Sequence, residues 1–381
     1  MDALSGSARP TAGQLALVER LAGGEQALGR ETVRLAADRY TDPVRFSAEQ
    51  ERVFAAMPLL LGPSAMLANP REAIAHDAYG VPLIVSRDDD GQAHVLANVC
   101  RHRGTRLIEE GGVVPAKRIV CPYHAWAYRR DGSLSGLPRA DCFPGLDKAD
   151  YGLRRFAAHE SGGLLWFSRD PDADFTPVSA LDGDLDAFGV RDLHPYRRRT
   201  HEVAANWKLV IDAFLESYHV KRLHAATIAP FFADGITAAD RIGPHQRAAV
   251  GRTDYLAGVD RDDWRQLRKA ITYTYHLFPN SVVIVSPDYI NLLICYPQEV
   301  GRTLVEDIML IAESPATPEA AAHWQRSWDL LDGVTFAAED FRAAALSHRG
   351  LASGLLEHVT LGTLEHGIAD FHAMLDEVLA L

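Results

Sequence analysis

Two short stretches hold the residues best suited to chemistry. "NVCRHRG" puts Cys100 two positions before His102, and "CPYHAWAY" puts Cys121 three before His124. Together they read C-x-H-x18-C-x2-H. Two thiolates and two imidazoles form a donor set for a metal. Zinc would take all four on one tetrahedral ion. A [2Fe–2S] cluster would take the cysteines on one iron and the histidines on the other. Each pair supplies one ligand of each kind, and each falls at a predicted turn between strands. Zinc fingers more often group their cysteines in one pair and their histidines in another, so the pattern favours the two-iron cluster, with zinc as the alternative.

A second constellation lies in "NWKLVIDAFLESYHVKRLH", from Asn206 to His224. It carries Asp212, Glu216, His219 and His224 on a predicted helix. Glu216 and His219 are i, i+3 neighbours and can touch. His219 and His224 are five apart, so on a regular helix they face different ways. To share one metal, the helix must break or bulge between them. Two histidines and a carboxylate on one ion form the facial triad of non-haem Fe(II) sites, which leaves positions open for O2. The segment does not itself settle where the third ligand comes from.

The elements that must position these residues divide the chain. Its 381 residues exceed one ordinary core, so two domains are expected. With 47% hydrophobic and 24% charged residues, the composition is that of a globular protein. No apolar run reaches bilayer length. The N-terminus, "MDALSGSARPTAG", lacks the basic-then-apolar order of a signal peptide, so a cytoplasmic, membrane-free protein is expected. A net charge of -12 argues against binding nucleic acid. Four cysteines are too few for a disulfide scaffold at this length.

Residues 1–55 form an N-terminal segment with helical periodicity from Leu15 to Arg39, then a linker and a short helix starting near Ser47. Residues 56–168 alternate short apolar runs with turns, and Asp90-Gly91 and Asp131-Gly132 are hairpin signals. This reads as a small all-β domain. Residues 169–381 mix strands with helices near Trp207, Glu319–Ala345 and Glu365–Leu379, an α+β domain with an antiparallel sheet.

The two motifs, in this order, resemble those of the Rieske non-haem iron oxygenases, the ring-hydroxylating oxygenase α-subunit family. The second has the family's form, N-W-K followed by D/E-x-x-H-x4-H. The resemblance runs from about Tyr40 to the end of the chain. The family commonly has Gly where this chain has Ala125, a change not expected to affect ligation.

The resemblance implies a fold and a set of ligands. Its fold is a Rieske [2Fe–2S] domain plus an α+β catalytic domain of helix-grip type. Cys100, His102, Cys121 and His124 would hold the cluster. His219 and His224 would hold mononuclear Fe(II), with an Asp far downstream. The matching stretch is "FAAEDFRAAALSHRG", which offers Asp340, with Glu339 as the neighbouring alternative. Glu216 falls where the family carries an acidic bridge for electrons between the cluster of one subunit and the iron of the next, in a head-to-tail ring of three chains. Asp212, one turn earlier, is a candidate to support a ligand.

The implied function is the terminal oxygenase of a multicomponent system. It would use O2 and electrons from an external reductase to hydroxylate a small organic substrate, by mono- or dihydroxylation of an aromatic ring. The alternative within the family is oxidative N- or O-demethylation or quaternary ammonium monooxygenation. The chain has no Gly-rich dinucleotide fingerprint, so an NAD(P)H-dependent partner, with or without a ferredoxin, must feed it. Chain length suits a homotrimer without a β-subunit. Two rival classes are an electron carrier without oxygenase activity and a zinc-stabilised binding module. Tyr123 is a candidate hydroxyl for a cluster thiolate. Ile211, Phe214, Leu215, Phe231, Phe232, Ile290 and Leu292 are candidate walls of a substrate cavity.

Overall fold

The computed structural model describes residues 9–109, 112–115 and 117–380. Residues 1–8, most of the stretch read for a targeting signal, lie outside the described residues. The chain divides into two compact units, Met1–Phe54 with Thr176–Leu381, and Ala55–Phe175.

The first unit opens with helix α1 (Ala12–Ala22), started by a reciprocal cap between Thr11 and Gln14. The helical periodicity read through Arg39 stops there. Residues Val33–Ala36 form strand β1 instead, paired with Leu361 to His358 near the C-terminus. Pairing with a distant strand overrides the local pattern. Helix α2 (Pro43–Arg52) starts at Asp42, not Ser47. The Asp42 carboxylate accepts from the Val44 and Arg45 amides, and Pro43 needs no donor partner at the first helical position.

The second unit is built of hairpins: β2 (Leu59–Pro63), β3 (Glu72–His76), β4 (Leu83–Arg87), β5 (Ala93–Ala97), β6 (Val114–Pro115), β7 (Ile119–Val120), β8 (Ala127–Tyr128), β9 (Leu134–Gly136), β10 (Arg155–Ser161) and β11 (Leu164–Ser168). Seven strands form one sheet in the order β2-β11-β10-β5-β4-β3-β6, and β7-β8-β9 form another. Both Asp-Gly signals are hairpin turns, with Gly91 and Gly132 at φ 82° and 86°, where a side chain would be strained. The Cys100 loop leaves β5, and the Cys121 loop joins β7 to β8. The two loops close with matching backbone bonds: Cys100 N to Thr105 O and Cys121 N to Trp126 O, each 2.8 Å.

The first unit then resumes. Short helices α3 (Thr176–Ser179) and α4 (Asp182–Ala187) precede β12 (His194–Val203), α5 (Trp207–Asp212) and α6 (Val220–Leu223). Then come β13 (Phe232–Ile242), β14 (His245–Arg252), α7 (Trp264–Ala270), β15 (Ile271–Leu277), β16 (Ser281–Val285), β17 (Tyr289–Glu299) and β18 (Arg302–Ile311). These strands make one antiparallel sheet, β12-β18-β17-β16-β15-β14-β13. Helix α8 (Pro318–Trp328) leads into a π-helical segment, Asp329–Asp340, and then into α9 (Phe341–Leu351), β19 (His358–Leu361) and α10 (His366–Leu379).

Strand alternation gives the sheet two uses. On β15, Tyr273 and Tyr275 face one way, and Tyr275 accepts from Gln14 of α1 and donates to Asp184 of α4. Thr272, Thr274 and His276 face the other way, where Phe371 of α10 meets His276 edge to face at 4.9 Å.

Candidate metal centres

The sequence between α5 and α6 makes the break that two histidines five apart require. Asn206 caps α5 by accepting from the Lys208 amide. The helix stops at Asp212, and the chain turns through residues 213–219. Glu216 holds this turn by accepting from the backbone amides of Tyr218 and His219. With the helix broken, the two imidazoles come to 5.0 Å, centroid to centroid.

Asp340 reaches them from the end of the π-helical segment. One atom each from His219, His224 and Asp340 lies within 4.8 Å of the others. The Nε2 atoms stand 3.6 and 3.1 Å from Asp340 Oδ1. Yet that buried oxygen has no hydrogen bond of good geometry. Convergence without hydrogen bonding is what a shared cation requires, so the residues fit a mononuclear metal with open positions.

Each histidine is oriented by a carboxylate behind it. His219 Nδ1 bonds Glu216, and His224 Nδ1 bonds Glu339 Oε2 at 2.7 Å. This is the arrangement that fixes which imidazole nitrogen faces a metal. Glu339 was read from sequence as a rival to Asp340. Instead it sits behind His224 and shares its oxygen with Thr227 Oγ1, also at 2.7 Å. Burial pulls the His224 pKa down, but Asp340 and Glu339 outweigh it and raise it overall.

The wide turns of the π-helical segment set the direction of this end. Its Asp332 is fully buried and accepts from Arg199 and His201 of β12, each at 2.5 Å. Asp212 is not among the converging atoms. It accepts from Tyr40 at 2.7 Å and lies 3.4 Å from His372, in a buried network of its own.

In the second unit, the loops bring Cys100, Cys121, His102 and His124 together. The Nδ1 atoms of His102 and His124 approach to 3.2 Å. Both cysteines are buried and free. Burial disfavours both thiolates, while the amides of Tyr123 and His124 favour that of Cys121. Burial, then His124 and Arg103, lower the His102 pKa, which favours the neutral, ligating imidazole. Two unpaired thiols and two facing Nδ1 atoms fit a cluster with cysteines on one iron and histidines on the other.

The hydroxyl at this centre is not Tyr123, which is 56% exposed. It is Tyr128, buried on β8, whose hydroxyl lies 3.3 Å from Cys100 Sγ and accepts from the Arg101 amide at 3.0 Å. The same motif carries both tyrosines, and only strand register shows which one turns inward. Ala125 has φ 55°, a left-handed conformation that explains why glycine suits this position.

A cavity of about 160 Å³ opens beside His219, His224 and Asp340. Phe214, Leu215 and Phe232 line it, as read from sequence. Ile211, Ile290 and Leu292 are core residues, and Phe231 is exposed outside the wall. The sheet supplies Val250, Ile284, Thr272 and Thr274, and the π-helical segment supplies Thr335 and Phe336. Sequence reasoning missed these because only strand alternation and helix packing aim them inward.

Both parts of the chain match known protein families. Residues 58–154 match the Rieske [2Fe-2S] domain, and residues 190–381 match the ring hydroxylating alpha subunit (catalytic domain). The carnitine monooxygenase oxygenase subunit of Escherichia coli (strain K12) is 26% identical over 376 residues, 92% of this chain and 94% of that one. The putrescine 2-hydroxylase of Bordetella bronchiseptica is 30% identical over 301 residues, 71% of this chain and 66% of that one. The crystal structure of a quaternary ammonium Rieske monooxygenase in complex with L-carnitine shares the fold, with a TM-score of 0.77 at 22% identity, over 94% of this chain and 97% of that one. The chain belongs to the ring-hydroxylating alpha-subunit family: it is a Rieske non-haem iron oxygenase, with a [2Fe–2S] domain and a catalytic domain that binds mononuclear iron.

Proposed function

We propose that this chain is the terminal oxygenase of a system that oxidises a small N-methylated ammonium compound, with Cys100, His102, Cys121 and His124 as cluster ligands and His219, His224 and Asp340 as iron ligands. The observation that carries the ligand assignment is the convergence of the last three atoms within 4.8 Å, with a carboxylate behind each imidazole. When bound, the cluster supplies single electrons and the mononuclear iron supplies O2 activation beside the substrate. The protein's own part is to fix geometry. Glu216 and Glu339 hold the two imidazoles with Nε2 forward. Phe214, Phe232 and Phe336 line the cavity with aromatic surface, of a kind that can attract a quaternary ammonium.

The preference for an ammonium substrate is supported by the named relatives, which act on carnitine and putrescine. The apolar character of much of the wall supports a second reading, hydroxylation of an aromatic ring. Electrons enter from an external NAD(P)H-dependent reductase, with or without a ferredoxin. In a homotrimer, Glu216, bonded to His219 Nδ1, would be the residue through which electrons pass between neighbouring chains. No helix among the described residues is long and apolar enough to cross a membrane, and a cytoplasmic location accords with this.

The test is iron analysis of anaerobically prepared protein, followed by O2 uptake with a flavin reductase on L-carnitine, choline, benzoate and naphthalene. About three irons per chain and uptake on an ammonium compound are expected. Uptake on naphthalene alone would move the assignment to ring hydroxylation. Two irons and no uptake on any compound would reduce the chain to an electron carrier.

A further inference from the structure

The charge of one guanidinium in the catalytic unit is not accounted for. Gln246, Ala248 and Val250 of β14 line the cavity, and the next residue on that face is Arg252. Arg252 is half-buried and adjoins the wall without being one of its lining residues. Its Nη1 donates to the hydroxyl of Thr272, a wall residue, at 3.3 Å. Its guanidinium lies 5.5 Å from the ring centre of Phe232, another wall residue, and 5.7 Å from that of Phe231. Among the described residues no carboxylate is within ion-pair distance of it.

The other cations nearby differ. Arg247 is spent on Asp184 and Asp240. Lys221 donates to the carbonyls of Ala229 and Phe232. Burial lowers the basicity of Arg252, and Tyr289 and Asp288 oppose this without reversing it. The Asp288 carboxylate already accepts from His323 at 2.7 Å. A half-buried guanidinium without an anion is costly unless a ligand supplies one.

We infer that Arg252 binds a carboxylate of the substrate, anchoring beside the cavity wall the end of the molecule opposite the carbon that is oxidised. The inference rests on the oxygenase reading of this cavity and narrows it. The substrate is then an acid, such as a zwitterionic methylammonium carboxylate, and not a diamine, which the same charge repels. Thr272 and the two phenylalanine rings hold the planar fork, leaving N–H groups free for a two-point bond to a carboxylate.

The test compares acids with neutral counterparts by calorimetry on the iron-loaded protein: γ-butyrobetaine against its methyl ester, and benzoate against benzamide. A charge-assisted bond at a half-buried site predicts about a 10- to 100-fold preference for at least one acid. R252Q should abolish that preference. R252K should keep it at a several-fold lower level, since an ammonium cannot present two parallel donors. Melting temperatures show whether the variants fold, and if neither does, the comparison in the unmodified protein decides. No preference for either acid, or a preference that survives R252Q, overturns the inference. If O2 uptake proceeds on a neutral compound, only the role of Arg252 fails. If no mononuclear iron binds, the oxygenase reading fails as well.

Discussion

Glu339 offers the sharpest test of how the iron site is held. Its carboxylate accepts from His224 Nδ1 at 2.7 Å and from Thr227 Oγ1 at the same distance. His224 is almost wholly buried, so water cannot replace a lost partner. Glu339→Gln keeps shape and length but removes the charge. A hydrogen bond to an ionised group contributes about 1.5–3 kcal/mol, against about 1 kcal/mol for a neutral pair. The difference, about 0.5–2 kcal/mol, corresponds to about a 2- to 30-fold loss of iron affinity. Removal of such outer partners commonly costs about 10–100-fold. The assay is titration with Fe(II) against a competing chelator, with the visible spectrum of the [2Fe–2S] cluster as an internal control. The expected result is weaker iron binding with an unchanged cluster and melting temperature. Equal affinity in Glu339→Gln would refute the view that this carboxylate orients a ligand. Equal loss of cluster and iron would show that the substitution merely unfolds the chain.

Three further outcomes follow from single contacts. Tyr128→Phe removes the hydroxyl 3.3 Å from Cys100 Sγ; at about 1 kcal/mol for a bond favouring the reduced cluster, the one-electron potential should fall by about 40 mV, and an unchanged redox titration would remove Tyr128 from the tuning of the cluster. Gly367→Ala would set a methyl 2.5 Å from the Leu215 carbonyl, next to Glu216, so a loss of about 1–3 kcal/mol and lower iron content are expected, with wild-type melting and iron loading as the contrary result. Asp307 is pushed up to about 8 by burial and by Asp332, against Asn291 and Arg199. Folded protein then holds a proton there that the unfolded chain, with an ordinary carboxyl, releases near pH 4, so its contribution to stability is full below about pH 4 and is lost as pH rises towards 8. Asp307→Asn should flatten the fall in melting temperature from pH 6 to pH 9, and an identical slope in both proteins would show that Asp307 is already ionised.

Much of the chemistry was legible because it is local. Each Cys–His pair lies within four residues, and hairpin signals beside the pairs placed them on turns. The five-residue spacing of His219 and His224 showed that a regular helix was impossible, and a break with Glu216 as its cap is what the chain forms. Where a residue meets a distant partner, the reading failed or depended on resemblance. Asp340 was found only by resemblance, since nothing local distinguishes it from its neighbour. Val33–Ala36 passed for helix because its partner strand lies more than three hundred residues on.

By itself, then, the order of residues determined which donor atoms exist, their grouping on turns and the need to interrupt one helix. These depend on backbone geometry over a few residues. Only the tertiary structure decided that Glu339 stands behind His224, that Tyr128 and not Tyr123 reaches a thiol, and that Arg252 lies against Thr272 and Phe232 of the cavity wall. Those outcomes depend on strand register and on how a π-helical segment packs, and neither leaves a periodic trace in the sequence.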